Sequence, residues 1–211
     1  MFEEFISNLE KGLQGPLPGI KAQLMMASSS RLRWIQQWMD TSGAKESSVL
    51  ILLYPEGDNV KTVLILRPDN SGVHSGQVSF PGGRRELTDK NLFDTALREA
   101  YEEIGLERTE VKILGHLTNL YIPPSNFNVF PVVGYTPEKP SFRIDKTEVD
   151  HIIEIAIADL LDDRYRKVKD IKAGIFTIHA PCFEIDGVTI WGATAMIISE
   201  LLEIIKSLTN K

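Results

Sequence analysis

The apolar residues Phe2, Phe5, Ile6, Leu9 and Leu13 recur at helical spacing, which predicts an amphipathic helix over residues 2–13. Gly15, Pro16, Pro18 and Gly19 end it. A second helical stretch is expected over residues 32–39, followed by a polar loop at 40–48. Residues 49–54 and 60–67 are apolar, β-branched runs that flank Glu56-Gly57-Asp58-Asn59, so they read as a hairpin. A loop over 68–75 leads to a short strand at 77–80. From 92 to 104, Phe93, Ala96, Leu97, Ala100 and Ile104 share one helical face, and Gly105 follows as the residue that closes the helix. Further strands are expected at 111–120, 129–135, 152–157, 175–178 and 188–191. A last helix over 194–208 carries a wide stripe of Ile197, Ile198, Leu201, Leu202, Ile204 and Ile205, so one of its faces should be deeply buried. There is no internal repeat and no low-complexity tract. Many strands and few helices predict an α/β fold, with a mixed sheet sandwiched between helices rather than regular βαβ alternation.

The chain has 211 residues, 43% of them apolar and 25% charged. That suits one large domain, or one domain with an N-terminal appendage; the division expected is a helical extension over 1–47 and a main domain over 48–211. No apolar run approaches the ~18 residues that a membrane span needs. The N-terminus, MFEEFISNLEKG, lacks the basic and apolar regions of a signal peptide. A single cysteine, Cys182, excludes an intrachain disulfide and a cysteine-rich zinc site. Together these features place the protein in a reducing cytoplasm. The net charge of -6 argues against a general nucleic-acid binder. A small anionic substrate stays open, because a local cation or a bound metal can reverse the potential inside one cleft.

Residues 76–106 carry the candidate chemistry. Glu99, Glu102 and Glu103 sit at i, i+3 and i+4 of the predicted helix, within ~100° of arc, opposite its apolar face. Alone, such a trio is ordinarily a solvated face, and a Gly-Gly pair is merely a turn. The combination of Phe80-Pro81-Gly82-Gly83, an acid at Asp89 and the Arg98-to-Leu106 run changes that reading. Crowded carboxylates repel one another unless a cation is present. Oxygen donors without Cys or His favour Mg²⁺ or Mn²⁺ over zinc. Arg98 can hold one carboxylate by a bidentate contact. The glycine turn permits close backbone approach, which puts a carbonyl within reach of a metal.

These residues resemble the box of the Nudix hydrolases: glycine, five residues, an acid, seven residues, then R-E-U-x-E-E-x-G-U with U apolar. The match runs from Gly83 through Asp89 and Arg98 to Leu106, with Asp89 in place of glutamate and eight residues rather than seven before Arg98. Both departures resemble one branch, the coenzyme A pyrophosphatases. Further likenesses to that branch are His74-Ser75-Gly76-Gln77-Val78-Ser79-Phe80-Pro81-Gly82-Gly83, Phe130-Pro131-Val132-Val133-Gly134, Glu148-Val149 and Ile190-Trp191-Gly192-Ala193-Thr194-Ala195. Of the branch's upstream signature, Leu64 and Arg67 match, whereas Ile65, Pro68 and Gly72 depart from it.

The resemblance implies an α/β/α sandwich with a mixed β-sheet and the box as loop–helix–loop. It implies hydrolysis of the diphosphate of coenzyme A or its derivatives to 3′,5′-ADP and 4′-phosphopantetheine. It also implies roles for individual residues. Glu103 and Glu99 are direct ligands of Mg²⁺ or Mn²⁺, and Glu102 is a direct or water-mediated one. Arg98 orients a glutamate and pairs with Asp89. Glu99 is the first candidate for general base and Glu148 the second. Gly82 and Gly83 meet the bound group, with a carbonyl offered by Gly82. His74 either touches a phosphate or is a structural hydrogen-bonder. Tyr121, Phe127 and Phe130 either stack on adenine or belong to the core. Trp191 is assigned to packing and Cys182 to the buried interior, and Glu103 is expected to be exposed.

Three alternatives are weighed. The departures at Ile65, Pro68 and Gly72 motivate a Nudix hydrolase of another nucleoside diphosphate derivative, such as ADP-ribose, a dinucleotide or a damaged nucleotide. A non-catalytic Nudix-fold binding domain should show an eroded glutamate set, yet all three glutamates are present. An isopentenyl-diphosphate isomerase needs a site cysteine, and Cys182 lies far along the chain from the box. The partner expected is a small nucleoside diphosphate derivative, with no nucleic acid and no membrane. Segment 1–47 has three roles open to it: capping the domain, shaping the pocket, or pairing with a second copy in a homodimer.

Overall fold

A computed structural model of the chain describes residues 2–29, 31, 41, 43–68, 76–173 and 176–209. The helix expected over 32–39, and His74 and Gly72 in the loop over 68–75, lie outside the described residues. The first helix is α1 (Phe2–Gln14). Past the Pro/Gly break the chain forms a further short helix, α2 (Gly19–Leu24), where the sequence suggests only an interruption. The hairpin is β1 (Lys45–Glu56) and β2 (Asn59–Leu66). Glu56 pairs with Asn59 across a turn in which Gly57 takes φ +58, a conformation that favours glycine.

Two short strands follow, β3 (Val78–Ser79) and β4 (Gly82–Arg84), and then the box helix α3 (Leu92–Ile104). The run expected as one strand over 111–120 is two, β5 (Lys112–His116) and β6 (Leu120–Ile122). The break has a local cause: the pairing register slips between Ile113 and Gly115, and Leu117 then donates its N–H to the Pro131 carbonyl at 2.9 Å. Next come β7 (Phe127–Tyr135), β8 (His151–Ala156) and a helical turn, α4 (Ile157–Leu161). The chain ends with β9 (Arg166–Ala173), β10 (Phe176–Ile185), β11 (Val188–Trp191) and α5 (Gly192–Thr209). No pattern announces β9, because its lysines interleave with apolar residues that remain partly in solvent; Val168 is 61% exposed.

The main sheet runs β3-β2-β1-β7-β5, with β4 on β1, β6 on β7 and β8 on β2; β9–β11 form a second sheet. It is mixed, because β1 and β7 are parallel while the other pairs are antiparallel. Central β1 is buried on both faces. Leu50, Leu52 and Tyr54 meet Ala96, Ala100 and Ile104 of α3, while Ile51 and Leu53 join the core shared with α1 and α5. Two small alanines let α3 lie close on the sheet. Asn91 caps its start by accepting from the Asp94 N–H at 3.0 Å, and Gly105 ends it at φ +66.

Among the polar contacts that hold the N-terminal segment to this frame, one set centres on a buried acid. Glu200, on α5, is fully buried. Its carboxylate accepts from Gly19 N–H (3.1 Å), Gln23 Nε2 (2.8 Å), Thr118 N–H (3.2 Å) and Thr118 Oγ1 (2.6 Å). Removing the acceptor strands several buried donors. Glu200→Ala should therefore lose roughly 3 kcal/mol in urea unfolding, and limited proteolysis within residues 2–29 should accelerate. Unchanged stability and cleavage would show that the contact holds nothing.

Candidate active site

The site is built where β4 meets α3. Gly83 pairs with Ser48 and Gly82 with Val49 on β1. A Cβ at Gly82 would come within 2.3 Å of the Ser48 carbonyl oxygen, and one at Gly83 within 2.4 Å of Glu99 Oε2. The two glycines thus do different things. Gly82, at φ +155, lets the backbone press against β1, whereas Gly83 leaves room for the Glu99 carboxylate.

Two guanidinium groups organise the acids. Arg98 is buried, and its Nε and Nη2 grip Asp89 in a fork at 2.9 and 3.0 Å. Nη2 also donates to the Arg84 carbonyl at 2.9 Å, and Nη1 reaches Glu99 at 2.9 Å and Glu102 at 2.8 Å. Asp89 accepts further hydrogen bonds from Glu86 N–H and Thr95 Oγ1. The Arg98 fork, aided by these donors, holds the Asp89 carboxyl down to about 2. The second group is Arg67, at the end of β2. Its Nη2 bridges the Gly82 carbonyl (2.9 Å) and Glu103 Oε1 (3.0 Å), while Gly82 N–H donates to Glu103 Oε2 at 2.8 Å. A closed ring results: strand end, turn and helix share one carboxylate.

Glu103 is 1% exposed, contrary to the expectation of an exposed side chain. The helix face it occupies is roofed by the β4 turn, which helical periodicity alone cannot reveal. Burial pushes its carboxyl up to about 7, outweighing the pull of partly exposed Arg67 and the Gly82 N–H; Glu99 and Glu148 add like-charge repulsion. Burial also raises Glu99, against the pull of Arg98 and with repulsion from Glu102 and Glu148. Glu148 itself is exposed, just before β8, yet its charge is felt by both acids. Glu102 is half exposed and held by Arg98.

The structure thus brings Asp89, Arg98, Glu99, Glu102, Glu103, Gly82 and Gly83 together, with Glu148 at the margin. Tyr121 and Phe127 lie on the paired strands β6 and β7, away from α3. Phe130 packs edge-on against Phe93 of α3, ring centres 5.3 Å apart. Cys182 is fully buried. Trp191, expected only to pack, is half-buried and lines a cavity. Arg67, noted in the sequence only as part of an upstream likeness, proves to be the partner of Glu103; its position at the end of a strand feeding the turn was the available signal.

Among the described residues, no three acidic, histidine or cysteine side chains converge as a ready metal cage. Arginines hold the carboxylates instead. The donor chemistry still fits a hard divalent cation. The donors are all oxygens, and Glu99 and Glu103 are raised by burial and by neighbouring negative charge, a strain that a cation would relieve.

A NUDIX domain model matches residues 44–170. The chain is 36% identical over 143 residues to the uncharacterized Nudix hydrolase NudL of Yersinia enterocolitica, covering 67% of this chain and 72% of that protein. The NudL protein of Yersinia pestis is likewise 36% identical over 67% of this chain and 70% of its own length. Among solved structures, the M. smegmatis Nudix hydrolase RenU superposes with a TM-score of 0.51 at 14% identity, over 77% of this chain and 87% of that one. The MutT protein of Methanosarcina mazei gives 0.50 at 16% identity, over 79% and 96%; at such identities the likeness concerns the fold alone.

The chain belongs to the Nudix family. It is a Nudix hydrolase with the mixed α/β fold of that family, acting on nucleoside diphosphate derivatives. Nudix hydrolases generally use divalent metal ions.

Two outcomes follow from the geometry. Gly83→Ala needs only the tip of a flexible carboxylate to move, so the fold should persist while Glu99 is displaced. Hydrolysis should fall at least about 10-fold with little change in melting temperature; full activity would remove Glu99 from the chemistry. The second outcome concerns pH in the metal-free protein. The folded Glu103 value of about 7 lies above its ordinary 4.5. Its contribution to stability is therefore present below the ordinary value and lost as pH rises through about 7. Relative to Glu103→Gln, the wild type should lose up to about 3 kcal/mol over that window in chelator-treated urea titrations. A pH-independent difference would show that Glu103 titrates normally.

Proposed function

We propose that the protein hydrolyses the diphosphate bond of coenzyme A or its derivatives in the cytoplasm, releasing 3′,5′-ADP and 4′-phosphopantetheine. The observation that carries the reading is the ring of Gly82, Arg67 and buried Glu103, set beside Glu99 in the space left by Gly83. The likenesses through Gly76, Gln77, Phe130-Pro131 and Ile190–Ala195 support the coenzyme A class. Glu99 and Glu103 would hold Mg²⁺ or Mn²⁺, with Glu102 at its edge. Held there, the ion would supply charge neutralisation at the diphosphate and a lowered pKa for bound water.

The chain's own residues do the rest. Arg98, fixed by Asp89, fixes Glu99 and Glu102 in turn, so the carboxylates do not reorganise when substrate arrives. Arg67 fixes Glu103 and presents a cation on the solvent side. Glu99 is the first candidate to accept a proton from the attacking water, and Glu148 is the second. The same acids acting on another nucleoside diphosphate derivative remain the second reading, favoured by Ile65, Pro68 and Gly72.

Product identification after incubation with coenzyme A, ADP-ribose and a dinucleotide separates the two. Coenzyme A should be split fastest, and equal or faster turnover of ADP-ribose would reject the first reading. Glu103→Gln should lower turnover by about 100-fold or more while remaining folded. Chelation should abolish hydrolysis, and added Mg²⁺ or Mn²⁺ should restore it; activity that survives thorough chelation would contradict the metal assignment.

A further inference from the structure

Glu148 is the one candidate acid that the box does not supply. It stands between β7 and β8, exposed, next to fully buried Val149. Val149 packs in the core that holds Ala96, Ala100 and Ile104 of α3. The charge of Glu148 acts on both Glu99 and Glu103. Whatever shapes this turn therefore places an acid against the site.

The turn is anchored on the site at both ends. The last carbonyls of a helix have no partner inside it. Here the Arg143 amide donates to the Ile104 carbonyl at 2.8 Å, and the Asp145 amide to the Glu103 carbonyl at 3.0 Å. The Asp145 carbonyl accepts in turn from the amides of Glu148 at 3.1 Å and Val149 at 2.8 Å. At the far end the Asp150 amide donates to the Leu66 carbonyl at 2.9 Å. The next residue, Arg67, grips the Glu103 side chain. The turn thus rests on the same helix and strand that the Arg67–Glu103 pair joins, and Asp145 is bonded to the main chain of both Glu103 and Glu148.

The Asp145 side chain sets the shape of the turn. Its Oδ1 accepts from Thr147 N–H at 2.8 Å and from Thr147 Oγ1 at 2.7 Å. An aspartate that accepts from the amide two residues on stands in for a backbone turn. Lys146 Nζ donates to the Asp150 carbonyl at 2.9 Å and closes the turn from the other side. Glu148 follows Thr147 directly, so its direction is set by the bonds that Thr147 makes. Asp145 itself is exposed, which leaves the core intact when its side chain is changed.

We propose that Asp145 is a positioning residue of the reaction: bonded to the main chain at Glu103 and at Glu148, and locking Thr147, it fixes Glu148 against the box acids. The assignment rests on the reading above, in which Glu148 serves the hydrolysis. It makes the geometry of the site depend on a residue outside the box that touches no substrate.

Steady-state hydrolysis of coenzyme A with Mg²⁺ by the full chain tests it in a double-mutant cycle. Asp145→Ala should lower kcat about 10-fold, with KM changed less than about 2-fold and the melting temperature little altered. Asp145→Asn, which keeps the Oδ1 acceptor, should keep most of the turnover. Thr147→Val, which removes only the hydroxyl donor, should lower kcat about 3-fold and carries the test where alanine disturbs the fold. In a Glu148→Gln background, Asp145→Ala should cost nothing further; an equal loss in both backgrounds would overturn the proposal. In the metal-free full chain, Asp145→Ala should quicken amide exchange at Glu148 about 10-fold while Ala100 exchanges as before. Unchanged exchange at Glu148, or full turnover in both Asp145→Ala and Thr147→Val, would likewise overturn it. Full turnover in Glu148→Gln would leave nothing to position and reject the proposal even while coenzyme A is split. Where the substrate panel selects another nucleoside diphosphate derivative, the cycle runs on that substrate. The same coupling there would reject the coenzyme A reading and leave the role of Asp145 standing.

Discussion

A single buried carboxylate joins the parts of this molecule that the chemistry needs together. Glu103 takes a hydrogen bond from the Gly82 amide, and Arg67 bridges that carboxylate to the Gly82 carbonyl. Helix, turn and strand end are separate stretches of sequence. None has an apolar reason to meet the others at this point. The hydrophobic contacts of Ala96, Ala100 and Ile104 place α3 on the sheet, but they leave its rotation and height free by a fraction of a turn. The polar ring removes that freedom, because a buried acid left without donors costs more than the packing around it could offset.

The ring also explains why two arginines serve one set of acids. Arg98 is enclosed, and its charge is answered by Asp89 in the fork, with Glu99 and Glu102 on the remaining donor. Asp89 is the residue that departs from the usual glutamate of the box, and eight residues instead of seven separate it from Arg98. In the fold a short acid at the end of a longer loop still delivers both oxygens to the guanidinium, at 2.9 and 3.0 Å. The two departures compensate each other in space. They do not weaken the clamp.

How far the sequence foretells this depends on the range of the interactions involved. Helix α3 was legible to its ends, since its apolar spacing and Gly105 are local features. The hairpin of β1 and β2 was legible for the same reason. Strand β9 was hidden, because half of a solvent-facing hairpin needs no apolar alternation. The burial of Glu103 was hidden too: its donors come from Gly82 and Arg67, brought in by strand pairing. Glu200 is the clearest case. An acid on an apolar helix suggests a solvated edge, yet Gly19, Gln23 and Thr118 converge on it from distant parts of the chain.

Position along the sheet then sets what each end of the molecule can do. At the end of β2, Leu66 faces the second sheet and Arg67 faces the box helix. Any change in the pairing of β2 with β3 or β8 would shift both side chains at once, and with opposite sense, because a strand that slips by one residue exchanges its faces. The Arg67 amide, bonded to the Gln77 carbonyl at 3.1 Å, and the Asp150 amide, bonded to the Leu66 carbonyl at 2.9 Å, pin that register from both sides. The acids of the box are thus held in place by hydrogen bonds outside the box, which is why the motif by itself states the chemistry while the surrounding sheet decides its geometry.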